Sequence, residues 1–185
     1  MRHELGRRKN LAIRGGLDAI RQWWDRHPMD YQGYDRKELK TDEEYRAFFR
    51  SVDASWWNAT NQINGSNPVH LGDKLLNRSK VAGKRVLEIG CGMGTWTQTF
   101  AEWGCDVTAI DLTPYAVEMT GKRLELAGLK AKVLEMDAGD MRASAEEFDF
   151  IWSWGVIHHS PHSEQIVKEI HRVLKRGGEF GLMVY

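Results

Sequence analysis

The sequence predicts a doubly wound α/β fold: a five-stranded, mostly parallel sheet over residues 81–185, preceded over residues 1–80 by a helical, aromatic-rich extension. Three observations carry this reading. A short apolar run, Val86–Ile89, breaks into a turn holding Gly90, Gly92 and Gly94, then passes straight into the helical pattern of Trp96, Phe100 and Trp103, ended by Gly104. Strand-like and helix-like patterns then alternate through the rest of the sequence, as parallel strands with crossover helices require. Residues 1–80 lack that alternation, so they cannot extend the sheet and are expected to pack over its ligand-binding end as a lid.

Taken in order, residues 1–14 are basic and read as a solvated arm. Leu17, Ile20, Trp23 and Trp24 share one helical face, stopped by Pro28. Residues 29–35 form a loop carrying Tyr31 and Tyr34. Thr41-Asp-Glu-Glu44 is a capping box, with threonine as N-cap and glutamate three positions on. The amphipathic stripe Tyr45, Phe48, Phe49, Val52 and Trp56 follows it. Residues 61–68 are polar and turn-rich, and 69–76, with His70, read as one more short helix.

Past the glycine turn, Asp106–Asp111 is a second strand ending in an acid. Thr113 and Pro114 supply N-cap and N1 of the next helix, 114–127, which carries Val117, Leu124 and Ala127 inward and ends at Gly128. That leaves Asp111 free for a ligand. It lies about twenty residues past the turn, where a carboxylate that accepts ribose hydroxyl protons belongs. Lys132–Met136 is a third strand, followed by Asp137 and Ala138, with Asp140 a competitor. Phe148–Trp154 is a fourth strand, leaving through Gly155-Val-Ile-His-His-Ser160. Ser160-Pro161 caps a helix whose stripe is Ile166, Val167, Ile170, Val173 and Leu174, and Lys175–Gly178 turns into a fifth strand, 179–185.

Bulk properties narrow the partners. Lys plus Arg and Asp plus Glu number 26 each, so no basic excess points to nucleic acid. No apolar run is long enough to span a bilayer. The two cysteines, Cys91 and Cys105, are too few for a disulfide framework, which makes a reducing cytoplasm the default. The 8 tryptophans are many for this length: some belong to the core, and this much indole also suits an aromatic-lined pocket.

Glu88-Ile-Gly-Cys-Gly-Met-Gly94 resembles the first motif of class I S-adenosylmethionine-dependent methyltransferases, in particular the ubiquinone/menaquinone-biosynthesis branch, methyltransferase type 11-like. The third glycine comes one residue earlier than in a dinucleotide fingerprint, which sets the turn apart from that of a nicotinamide-dependent oxidoreductase. The aspartate after the first aromatic of strand four and the apolar-His loop after that strand strengthen the resemblance. Arg176 stands where the family's turn before strand five usually has proline. The resemblance implies a Rossmann-like sheet of order 3-2-1-4-5 and S-adenosylmethionine as cofactor. It assigns Glu88, Gly90, Cys91, Gly92, Gly94, Asp111, Leu112, Asp137, Ala138 and Trp154 to that cofactor: Leu112 against the adenine, Asp137-Ala138 on its edge, Trp154 by the methionine part.

Methyl transfer from a sulfonium needs alignment and exclusion of water more than many catalytic groups. For a hydroxyl or ring-carbon acceptor, His158 or His159 is the candidate base; the competing role is loop capping and packing. His158, His159 and His162 lack further ligands for a metal tetrahedron, so no metal is expected. Tyr31, Tyr34, Trp56 and His70 are candidates for reaching a small, partly apolar methyl acceptor from the lid. A fifth strand at the sheet edge is expected to be covered by a second copy or a further segment. A binding or scaffold protein with the same fold is the alternative to an enzyme.

Overall fold

The computed structural model describes residues 16–29, 36–64 and 76–184. The sequence places its first three helices before any strand: α1 (Gly16–Arg26), α2 (Asp42–Asn64) and α3 (Arg78–Val81). Strands and helices then alternate as β1 (Arg85–Ile89), α4 (Thr95–Glu102), β2 (Asp106–Asp111), α5 (Pro114–Ala127), β3 (Lys132–Glu135), β4 (Phe148–Trp154), α6 (Ser163–Val173) and β5 (Leu174–Met183). A short 3-10 turn, Ile157–His159, follows β4.

The strands lie in the order β3-β2-β1-β4-β5, and every pairing is parallel. The order expected from the resemblance is the order found. β1 is central, which is why its run is apolar on both faces: Val86, Leu87 and Ile89 are buried. On one face Val86, Phe150 and Trp152 meet Trp96 and Phe100 of α4 and Trp56 of α2. On the other, Leu87, Ile89 and Ile151 meet Ile166, Ile170 and Val173 of α6.

Local signals set most boundaries. Thr41 caps α2 as the sequence demands: Glu44 N–H donates to Thr41 Oγ1 at 3.2 Å, and Thr41 N–H to Glu44 Oε2 at 2.9 Å. Phe48, Phe49 and Val52 of α2 bury against Met93, Tyr115 and Met119. Thr113 and Pro114 open α5, and Gly128, left-handed at φ +67°, closes it.

Four local expectations are corrected. α2 runs on to Asn64, through part of the stretch read as turn. α5 buries Tyr115, Met119 and Leu124, while Ala127 is exposed, because the helix also meets α2 and not the sheet alone. α6 begins at Ser163, two residues after Pro161; Ser160 accepts the His162 N–H at 3.1 Å in the turn before it. Val167 is 53% exposed and Leu174 already belongs to β5, so the sheet-facing stripe of α6 is narrower than the sequence pattern.

β5 occupies the sheet edge. Its pairing with β4 shifts between Phe148 and Phe150; residues 175–178, expected as a turn before the strand, instead lie within β5 as a bulge, with Gly177 at φ +75°. Gly181 lies under the Trp152 ring: a Cβ there would fall 2.3 Å from the ring. Phe180, Leu182 and Val184 alternate along the strand and remain exposed.

Candidate active site

Parallel strands deliver all their C-terminal ends to one side of the sheet, and the glycine turn follows the central one. Gly90 takes φ +82°, and a Cβ on it would lie 2.2 Å from Val156 Cγ2, so the exit of β4 rests directly on the turn. The Gly90 and Cys91 amides donate to the Ile110 carbonyl at 2.8 and 3.2 Å, which ties the turn to β2. Gly94, at φ +78°, stands at the N-cap of α4. Thr120 Oγ1 donates to the Gly92 carbonyl at 3.1 Å, and Arg123 to the Met93 carbonyl at 3.3 Å. Among the described residues, the amides of Met93, Thr95, Trp96 and Thr97 have no backbone acceptor. They form the donor end of a helix, where an anionic group is favoured.

Two carboxyl groups sit beside that end. Asp111 Oδ1 accepts the Thr113 N–H at 3.0 Å and its hydroxyl at 2.9 Å, and Oδ2 accepts the Gly92 N–H at 3.1 Å. A carboxylate offers about four lone-pair sites, so a further hydroxyl can be accepted at Oδ2 without breaking a bond. Burial pushes the Asp111 carboxyl above its usual range, against the Thr113 and Gly92 hydrogen bonds. Glu88 is more deeply placed: it is 3% exposed, on the α4 face of β1, and receives the Thr97 hydroxyl. Desolvation raises its carboxyl to about 8, with nearby Asp111 adding to the effect and the Thr97 bond opposing it.

These groups line a cleft of about 200 Å³ at the strand ends. Leu112, Asp137 and Ala138 line it toward β3, Trp154, Val156 and His159 toward β4, and Ile166 lines it from α6. Asp137 also accepts the Gly139 N–H at 2.8 Å. Asp140 is not among the residues lining this cleft; it borders a shallower hollow beside it, which Asp137 shares. Ile20 and Trp24 of α1 and Val52 and Trp56 of α2 also line it. Arg21 anchors α1 by donating to the Leu112 carbonyl at 3.2 Å and pairing with Glu135.

Every proposed cofactor contact, from Glu88 to Trp154, therefore lines this one cleft except Gly94, which sits behind it as the helix cap. His159 lines it and His158 does not; their rings lie 4.0 Å apart, and His159 lies 5.1 Å from the Trp24 ring. Trp56 is in place, while Tyr31, Tyr34 and His70 lie outside the described residues. The sequence reading missed Trp24 and Val52 as cleft residues, because a packing stripe and a pocket wall share the same helical periodicity. It also missed Val156, although a β-branched residue next to Gly155 was a visible signal of a loop pressed against a glycine turn.

The methyltransferase-domain family matches residues 86–178, from the start of β1 to the bulge within β5. The chain belongs to the class I S-adenosylmethionine-dependent methyltransferases. Among the curated methyltransferases it is 32% identical to the ubiquinone biosynthesis O-methyltransferase of Xanthomonas oryzae, over 72% of this chain and 57% of that one. It thus spans little more than half the length of that relative. Among solved structures, a putative methyltransferase from Bacillus halodurans superposes with a TM-score of 0.53 at 28% identity, covering 59% of this chain and 49% of that one. A putative S-adenosyl-L-methionine-dependent methyltransferase from Methanococcus maripaludis superposes with a TM-score of 0.60 at 19% identity, covering 79% and 67%, and shows the shared fold. Gly90 and Gly92 of the turn, the strand-two acid Asp111 and the wall from β4 line one cleft in this chain. Among the described residues no helix is long and apolar enough to cross a membrane.

Proposed function

We propose that this chain transfers a methyl group from S-adenosylmethionine to a small, partly apolar molecule, with a hydroxyl oxygen as the atom methylated. The observation that carries the reading is the meeting of helix-start amides, the Asp111 carboxylate and the buried Glu88 carboxyl in one cleft. That donor set matches the cofactor's chemistry. Its carboxylate suits the amides of Met93 and the first turn of α4. Its ribose hydroxyl suits the remaining site on Asp111 Oδ2. Its adenine suits the apolar walls of Leu112 and Ala138, with Asp137 at the rim, and its cationic amino group suits Glu88, which receives the Thr97 hydroxyl and has no ion-pair partner among the described residues. The hydroxyl acceptor rests on the O-methyltransferase relative.

When bound, the cofactor supplies an electrophilic methyl on a neutral leaving group. The chain's own contribution is alignment and dryness. Trp154 and Trp56, 5.8 Å apart between ring centroids, form an apolar wall beside the β4 exit. α1 and α2 serve as the lid that keeps water out. His159 takes the acceptor's proton. The exposed edge of β5 supports a second copy or a further segment lying against it. The buried free thiols of Cys91 and Cys105 suit a reducing compartment, the cytoplasm.

Calorimetric titration of the chain with S-adenosylmethionine and S-adenosylhomocysteine, with NAD as control, tests the binding half. Transfer of label from methyl-labelled S-adenosylmethionine to small apolar phenols tests the chemistry. Heat with both sulfur nucleosides, none with NAD, and label in the phenol are the expected results. Binding without transfer to any acceptor returns the chain to a cofactor-holding protein, and no binding ends the reading.

A further inference from the structure

Arg123 is buried in α5, its side chain 6% exposed. Its guanidinium donates to Asp53 Oδ2 on α2 at 2.6 Å and to Gln98 Oε1 on α4 at 2.7 Å. It also reaches the Met93 carbonyl and Thr95 Oγ1, each at 3.3 Å. Thr95 Oγ1 in turn donates to Asp53 Oδ1 at 2.9 Å. Asp53 thus closes a ring of hydrogen bonds between the lid helix, the first residue of α4 and the glycine turn. On α2 it lies between Val52 and Trp56, which line the cleft.

A trans peptide unit points its carbonyl and amide in opposite directions. Thr120 on the Gly92 carbonyl holds the Met93 amide facing away from α5, and Arg123 on the Met93 carbonyl holds the next peptide, whose Gly94 amide donates to the Cys91 carbonyl at 2.8 Å. The Met93 amide is one of those with no backbone acceptor. A buried guanidinium keeps this aim only while its charge is matched, and Asp53 is the carboxylate paired with it.

We propose that Asp53 is a positioning residue that couples the seating of α2 over the cleft to the orientation of the amides at 93–97. Lid and anion site then form one mechanical unit: the helix that covers the cleft also aims the donors inside it. What those donors receive rests on the methyltransferase reading; the coupling itself is a property of the chain alone.

Amide hydrogen exchange and S-adenosylhomocysteine calorimetry on the parent chain, Asp53→Asn and Thr95→Val test this. Thr95→Val is close to isosteric and leaves the Asp53–Arg123 pair intact, so it keeps the question answerable if Asp53→Asn does not fold. Expected are faster exchange at the hydrogen-bonded amides of Gly92, Gly94 and Gln98 in both variants, continued protection of α2 in Thr95→Val, and a dissociation constant raised about tenfold in Asp53→Asn, the size of one lost charge-assisted bond. A purely structural role would loosen α2 and leave the turn amides and the affinity unchanged; that result overturns the proposal. If the parent itself gives no heat with S-adenosylhomocysteine, the functional reading fails, and the exchange comparison still decides the coupling.

Discussion

Asp111 Oδ2 accepts the Gly92 amide at 3.1 Å, which joins the tip of β2 to the middle of the glycine turn. The acid read from sequence as a ligand group is therefore also the brace that holds the turn in shape. Asp111→Asn separates the two roles poorly but informatively. Whichever way the Asn amide is placed, its nitrogen faces a backbone N–H donor to donor, that of Gly92 or that of Thr113. Expected are a loss of about 1–2 kcal/mol in urea unfolding, the cost of one buried unsatisfied donor, and at least about tenfold weaker binding of S-adenosylhomocysteine by calorimetry. Unchanged affinity would remove Asp111 from the cofactor site.

Glu88 gives a pH-dependent prediction with a definite sign. Its carboxyl is raised from 4.5 to about 8 in the folded chain, chiefly by desolvation. The folded state therefore holds a proton that the unfolded state releases between those values. The stability this contributes is fully present below pH 4.5 and is lost as pH rises toward 8. Glu88→Gln is neutral at every pH. It is expected to match the parent near pH 4.5 and to exceed it by a few kcal/mol, on the order set by the shift, above pH 8. Binding of a ligand with a cationic amino group should drive the proton off Glu88. Titrations at pH 7 in two buffers of different ionisation enthalpy should then show proton release in the parent and none in Glu88→Gln.

Sequence legibility followed the range of the forces involved. The strand–turn–helix unit, the Thr41 capping box and the Thr113-Pro114 start of α5 are decided by neighbours within four residues, and each was readable. Asp111 was readable from its spacing past the turn, whereas the strand order and the roles of Asp137, Ala138 and Trp154 came through the resemblance. What stayed hidden was long-range. Arg123 and Asp53 are 70 residues apart, and a charged residue on an amphipathic helix carries no mark of the partner it will bury. Glu88 looked like any motif acid until α4 was seen to seal it against Thr97. Val167 was misplaced because helical periodicity shows that a face is apolar without showing how wide the covered strip is.

The glycine turn makes a graded prediction. Gly90 and Gly92 are both left-handed, at φ +82° and +52°, but a Cβ meets Val156 at 2.2 Å in the first case and nothing within 4 Å in the second. Gly92→Ala bears backbone strain alone, about 1–2 kcal/mol. Gly90→Ala adds a clash with the β4 exit and should cost roughly 2–4 kcal/mol in total, with displacement of the loop that carries His159. Thermal unfolding of the two variants side by side reads the difference. Equal losses would mean that the β4 exit does not rest on the turn in solution.

The histidine pair separates by position. His159 lines the cleft and packs near Trp24, whereas His158 lies behind it, its ring 4.0 Å from that of His159. If His159 is the base, His159→Gln should keep S-adenosylhomocysteine affinity within about twofold and lower the transfer rate by roughly a hundredfold or more, the usual weight of a general base. The loss should shrink as the acceptor's own hydroxyl becomes more acidic, because a readily ionised phenol needs less help with its proton. His158→Gln should act only through the position of its neighbour, with a smaller effect that does not depend on acceptor acidity. Single-turnover rates for two phenols of different acidity with each variant make the comparison. A His159→Gln enzyme as fast as the parent on both would move the proton acceptor to another group in the cleft and leave His159 as part of the wall beneath α1.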